Sequence, residues 1–261
     1  MSKTPLQAVI ASEENRSLLL FLDECPTGLD GLTISMGTTK EQLHSIIGLL
    51  EECYLITGEN GIYRLTRIGE LIAGKLKHLL NLEEFINTAE NYWLDRKLDF
   101  IPPSLLKKLH EINSCTVIQP RFSDIYDYNK EAHEASTGSK SFSMAAAGLH
   151  PCFPDLFGDM INRGVNLSLI FDPSLLEKLK RDNYDELQKL VNNRQVALYL
   201  YSQKMHFLSV KVNDTCIVLK LLTKNDTYDH KQLICYSPDA VEWGKELFNY
   251  YLQDSMLLTE I

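Results

Sequence analysis

The chain has 261 residues, a net charge of −9, 44% hydrophobic and 23% charged residues, values of an ordinary globular protein with room for two modest domains. Its longest apolar runs, such as Leu18 to Leu22 and Ala145 to Leu149, fall far short of the ~20 residues of a membrane span. No basic segment leads into an apolar stretch at the N-terminus, so the expectation is a cytoplasmic protein without membrane contact. The six cysteines, Cys25, Cys53, Cys115, Cys152, Cys216 and Cys235, lack CxxC spacing and read as buried free thiols in a reducing compartment, with no metal site and no cofactor. The acidic balance is awkward for a nucleic-acid binder, because phosphate contacts need Lys or Arg on the contact face. Residues 1 to 80 carry seven basic against ten acidic side chains, so any positive face there is small and local.

In chain order, Ser12 caps a first predicted helix carrying Leu18, Leu19, Leu20 and Leu22, and Pro26 with Gly28 stops it. Leu29, Leu32 and Met36 space a short second helix that ends near Gly37, a residue that accepts positive φ. Thr38 and Thr39 then stand where an N-cap belongs, and Thr39 with Gln42 has the form of a capping box. The third predicted helix repeats Leu43, Ile46, Ile47 and Leu50 on one face and leaves Lys40, Gln42, His44 and Ser45 on the other. Gly48 weakens this helix by roughly 1 kcal/mol relative to Ala, and its bare backbone suggests close packing.

Tyr54 to Thr57 and Ile62 to Leu65 are β-rich runs joined through Asn60-Gly61, the signature of a tight hairpin. Thr66 caps a long helix in which Ile68, Ile72, Leu76, Leu79, Leu82, Ile86, Ala89 and Trp93 recur at the helical period. Three helices, a hairpin and a long helix make a winged helix-turn-helix. In the DNA-binding reading Thr38, Thr39, Lys40, Gln42, His44 and Ser45 face the major groove, with Gln42 suited to adenine and Lys40 or His44 to guanine or phosphate. Arg64 and Arg67 hold the flanking backbone or minor groove. Ile72, Leu79, Ile86 and Trp93, helped by the C-terminal helix, form the expected dimer seam.

After Pro102-Pro103 strands and helices alternate. Cys115 to Gln119, Ser141 to Ala147, Val165 to Phe171 and Val196 to Tyr201 read as buried strands of a largely parallel sheet. His206 to Val212 and Cys216 to Leu221 flank the turn Asn213-Asp214-Thr215, and Gln232 to Tyr236 adds an antiparallel strand, so the sheet is mixed. A terminal helix starts at Ser237. The stretch from His206 resembles the second half of a phospholipase-D-like fold, which would place catalytic His and Lys two residues apart. Leu208 stands at the lysine position and offers no charge to a phosphodiester transition state, so no catalytic residue is assigned and a phosphodiesterase is the lesser alternative. His150, Asp172 and His206 fall near strand ends and are candidate ligand-binding residues; capping roles for His150 and Asp172 are the competing reading. Cys152 reads as a structural thiol.

Several blocks together are similar to a family of archaeal regulators, the filament-type methanogenesis regulators of methanogens. They are Arg16 to Leu20, Leu65-Thr66 with Gly69, Trp93 before Ile101-Pro102, His150-Pro151, and Glu242 to Phe248 followed by Tyr250-Tyr251. That family often has Gly where this chain carries Tyr54, and His-Asp where it carries Arg96-Lys97. The resemblance implies a homodimeric transcriptional regulator that binds double-stranded DNA and senses a small-molecule effector through a non-catalytic second domain. The expected organisation is a winged helix over 1–80, a connecting and dimerising helix with linker over 81–103, and a mixed α/β, degenerate phospholipase-D-like domain over 104–261. A winged helix that binds protein instead of DNA, making the chain an interaction adaptor, is the alternative class.

Overall fold

The computed structural model describes residues 4–88, 92–112, 114–124 and 127–261, and the chain divides into two compact units, residues 1–80 and 81–261. The first unit opens with a helix the periodicity did not announce, α1 (Pro5–Ile10), held by a Thr4–Gln7 capping box. Asn15 ties it to α2 (Glu13–Glu24), its buried amide donating to the Ala8 carbonyl at 2.6 Å. Ser12 caps α2 as its sequence position requires. After β1 (Thr27–Gly28) come α3 (Leu29–Met36), closed by Gly37 at φ 58°, and α4 (Lys40–Glu52). The hairpin is β2 (Ile56–Glu59) and β3 (Ile62–Leu65), and α5 (Arg67–Thr88) follows.

Leu18, Leu19, Leu22, Leu32, Leu43, Ile47, Leu50 and Leu55 interlock in one core, which is what makes three short helices stable together. The antiparallel sheet has the order β1-β3-β2, and Asn60 (φ 54°) and Gly61 (φ 76°) supply the two left-handed residues its tight turn demands. Thr66 caps α5 by accepting from the Gly69 amide at 3.0 Å. A Cβ on Gly69 would lie 2.0 Å from the Leu55 carbonyl oxygen, so the close approach of α5 to the start of the wing depends on glycine there. Gly48 is different: a Cβ there would meet nothing within 4 Å, so the expected close packing is absent.

The second unit is built on an eight-stranded sheet whose order is β11-β7-β6-β5-β8-β9-β10-β4. In chain order its elements are α6 (Pro103–Leu106), β4 (Cys115–Ile118), α7 (Lys130–Thr137), β5 (Ser141–Ala146), α8 (Phe153–Asn162), β6 (Asn166–Phe171), α9 (Pro173–Asp182) and α10 (Tyr184–Val191). They continue with β7 (Val196–Tyr201), β8 (Phe207–Asn213), β9 (Ile217–Leu221), β10 (Gln232–Cys235), α11 (Pro238–Gln253) and β11 (Ser255–Leu257). Among the described residues only the β5-β6-β7 block is parallel. The strand at Cys115, expected among the parallel strands, lies at the far edge, antiparallel to β10. From there the chain crosses β10, β9 and β8 to reach β5, and no local pattern encodes which partner a strand finds.

That pairing also corrects the thiol reading. Cys115 and Cys235 sit opposite each other in register, Cα atoms 4.1 Å apart, and are joined by a disulfide. Of the other four, Cys53 and Cys216 are buried, whereas Cys25 and Cys152 are exposed.

One face of the sheet packs against α11 and the segment from Tyr92 to Ile112, through Trp243, Leu247, Phe248 and Tyr251. Trp243 donates to the Leu105 carbonyl at 3.0 Å and Tyr251 to the Phe100 carbonyl at 2.7 Å, so the aromatic block of the terminal helix clamps that segment. Arg96, 1% exposed in its side chain, pairs with Asp229 at 2.7 Å and stacks on Tyr92, and Lys97 pairs with Asp226 at 2.5 Å. The opposite face is covered by α8, α9 and α10 over β5, β6 and β7, and by α7 over Val218 and Ile234.

The expected dimer seam is largely used inside the chain. Ile72 packs on the first core, Ile86 and the buried Trp93 on the second, and Leu79 is exposed. Ala89 lies outside the described residues. The apolar face of α11 is likewise consumed by its own sheet.

Candidate nucleic-acid interface and a lysine-lined cavity

The apolar stripe Leu43, Ile47 and Leu50 fixes the rotation of α4, and the rotation decides what faces outward. Thr39, Lys40, Gln42, His44 and Ser45 are exposed and Thr38 is half-buried, so the six positions form one accessible patch at the N-terminal end of the helix. Helix N-termini attract phosphate through free amides and the helix dipole. Arg64 on the wing and Arg67 at the start of α5 are exposed too.

Two features temper that patch. The Gln42 side-chain oxygen already accepts from the Thr38 hydroxyl at 2.8 Å and from the Thr39 amide at 3.3 Å, so two-point pairing with adenine would cost the cap. Every cation of the patch also has an acidic neighbour: Lys40 with Asp30 at 2.7 Å, Arg64 with Glu59, and Arg67 with Glu70 at 2.9 Å. The hydrogen bond and charge of Asp30 hold Lys40 above its ordinary value, and Lys40 in return holds Asp30 below the usual carboxylate range. These pairs are exposed and therefore weak, and a phosphate can replace the carboxylate.

In the second unit the three candidate ligand residues part company. His150 lines a cavity of about 260 Å³ and a smaller adjoining one. Asp172, 1% exposed, caps α9 by accepting from the Ser174 amide at 2.8 Å and also accepts from the Met205 amide at 2.8 Å. Exposed His206 precedes β8, and neither it nor Asp172 is among the residues lining these cavities. His150 itself makes a turn: its carbonyl accepts from the Phe153 amide at 2.9 Å and its Nδ1 from the Cys152 amide at 3.1 Å.

The residues that give the cavity its character are Lys211 on β8, Lys220 on β9 and Gln232 on β10, none of them singled out from the sequence. Burial pushes the Lys211 ammonium down to about 7, with Lys220 adding repulsion, and burial lowers Lys220 as well. A signal existed: a lysine amid alternating apolar residues of a strand read as buried is a charge that the strand must account for.

Residues 125–254 match the family model described as the middle domain of the methanogenesis regulatory protein FilR1. The methanogenesis regulatory protein FilR1 of Methanothrix harundinacea (strain 6Ac) is 24% identical over 229 residues, which cover 86% of this chain and 51% of that protein. The chain thus spans about half the length of the curated relative it matches. Among solved structures, TrmBL2, an archaeal chromatin protein, is similar at TM-score 0.44 and 15% identity over 94% of this chain and 92% of that one. Nuc from Salmonella typhimurium, a phospholipase D family member, is similar at TM-score 0.43 and 16% identity over 56% of this chain and 99% of that one. Through residues 125–254 the chain belongs to the family defined by the middle domain of the methanogenesis regulatory protein FilR1.

Proposed function

We propose that the chain is a DNA-binding transcriptional regulator that works as a homodimer, with a non-catalytic second unit that senses an effector. The observation that carries the reading is the exposed polar face of α4, capped at Thr39 and flanked by the wing cations, in a chain related to a protein named as a regulator. Two copies would address a pseudo-palindromic site, because protein two-fold symmetry is mirrored in the operator. Exposed Ile68, Leu71 and Leu79 on α5 are the apolar positions left for a partner copy. Leu208 occupies the place a catalytic lysine would need and its methyl group lies against Gly148, which supports a non-enzymatic role.

Selection of bound sequences from a random duplex pool tests the reading: an enriched inverted repeat supports it, and no enrichment at low salt overturns it. The acidic partners of Lys40, Arg64 and Arg67 favour one second reading, an adaptor whose winged helix meets protein. Salt titration separates the two. A DNA reader loses affinity steeply with salt, and Lys40→Ala or Arg64→Ala lowers the log–log slope by about one each.

A further inference from the structure

Lys211, Lys220 and Gln232 stand on three neighbouring strands of one sheet face. Lys211 pairs across with Met144 on one side and Val218 on the other, and Ser209 pairs with Lys220, so these side chains share the face opposite α11. Helix α8 covers that face over Phe142 and Met144, and α7 covers it over Val218 and Ile234. The two helices meet through His133 and Asp159 at 3.0 Å, and beyond them the cavity of about 260 Å³ opens between the loop at Gly148 to Pro151 and the loop carrying Tyr228 and His230.

Its chemistry is lopsided. Among the described residues neither lysine has a hydrogen-bond or ion-pair partner, and each stands close enough to the other for repulsion to act on Lys211. Asp127 is the one carboxylate among the described residues lining the larger cavity, and it leaves the two ammonium groups in excess. Gln232 is 8% exposed, and its buried side-chain oxygen has no hydrogen-bond partner. A buried acceptor without a donor and two unpaired cations each cost stability, and such groups persist where a ligand completes them. Met144, Leu149 and Leu208 supply an apolar wall for the rest of a small molecule.

We propose that this cavity binds a small organic anion, a phosphate ester or a carboxylate, with Lys211 and Lys220 holding its charged group and Gln232 accepting from a hydroxyl. The ligand is small because the cavity is small, and it is an anion because two unpaired ammonium groups converge on it. The proposal names an effector class for the sensing role above and rests on that reading only for its consequence; binding itself stands or falls without DNA.

The test uses the full chain without DNA, in thermal unfolding and calorimetry at constant ionic strength. Inorganic phosphate and succinate are the two probes, and glucose is the uncharged control. Saturable binding of either anion, weakened at least tenfold in Lys211→Met and in Lys220→Met, is the expected result, and the probe that binds tells phosphate from carboxylate chemistry. Lys180→Met on α9, which removes a charge elsewhere, should leave it unchanged. Circular dichroism checks folding, and Gln232→Leu provides a variant that leaves both charges in place and should weaken hydroxyl-bearing anions such as glycerol 3-phosphate more than phosphate. No saturable binding of any anion, or equal binding in both lysine variants and the parent, overturns the proposal; enriched DNA in the random-pool selection would still leave the regulator reading standing.

Discussion

Tyr54 and Gly48 each occupy a place where the other's residue type belongs. Tyr54 lies just past α4 at φ 57°, the left-handed region where a side chain is strained, and at 74% exposed the residue gains little burial. Gly48 lies inside α4 with open space where its Cβ would be. Tyr54→Gly and Gly48→Ala should each stabilise the first unit by about 1 kcal/mol, read as a higher midpoint in urea unfolding. Gly69→Ala should do the reverse and strongly, because its Cβ would run into the Leu55 backbone.

Lys211 gives a pH signature with a definite sign. Its ammonium titrates near 7 in the fold against an ordinary 10.5, so between those values the unfolded chain holds the extra proton. Stability therefore climbs with pH across that window, and the penalty is fully present below it. Lys211→Met removes the charge and should raise Tm by several degrees at pH 6 to 7, the advantage shrinking toward pH 10. A variant less stable than the parent at neutral pH would mean the lysine is held by a partner.

At the scale of elements, the proposed DNA-facing surface of α4, the wing and the start of α5 has its cations already occupied. Each carboxylate that pairs with Lys40, Arg64 or Arg67 would have to be displaced or carried along if phosphate bound there. Asp30→Asn, Glu59→Gln and Glu70→Gln combined should tighten non-specific duplex binding severalfold and steepen its salt dependence, measured by fluorescence anisotropy. Weaker or unchanged binding would place phosphate elsewhere.

Elements written in local chemistry were legible. Ser12, Thr39 and Ser237 cap the helices they precede, Gly37 closes α3, and Asn60-Gly61 turns the hairpin, because caps and turns depend on a few adjacent residues. What depends on distant chain was not. The antiparallel place of β4, and with it the Cys115–Cys235 bond, joins strands whose cysteines are 120 residues apart in sequence. Trp93 reads as a seam residue on a helical wheel, yet the second core takes it in. The cavity lysines escaped notice for the same reason: their setting arises where the loops at Gly148 to Pro151 and at Tyr228 and His230 come together over the sheet, and such a gap has no sequence signature.

At the scale of the whole molecule, a chain of net charge −9 would meet DNA against its own field, so on the proposed reading regulation need only tip a modest affinity. An anion that binds better to one state than another shifts DNA affinity by the ratio of those affinities, and DNA shifts anion affinity by the same factor. That reciprocity makes the two proposals jointly testable once an operator is selected. Saturating phosphate or succinate, whichever binds, should change the operator Kd severalfold at fixed ionic strength. Operator DNA should change the anion Kd by the same factor, and both effects should vanish in Lys211→Met while its DNA binding persists. Equal anion affinity with and without operator would separate the two units functionally, leaving the cavity a binding site that carries no message to α4.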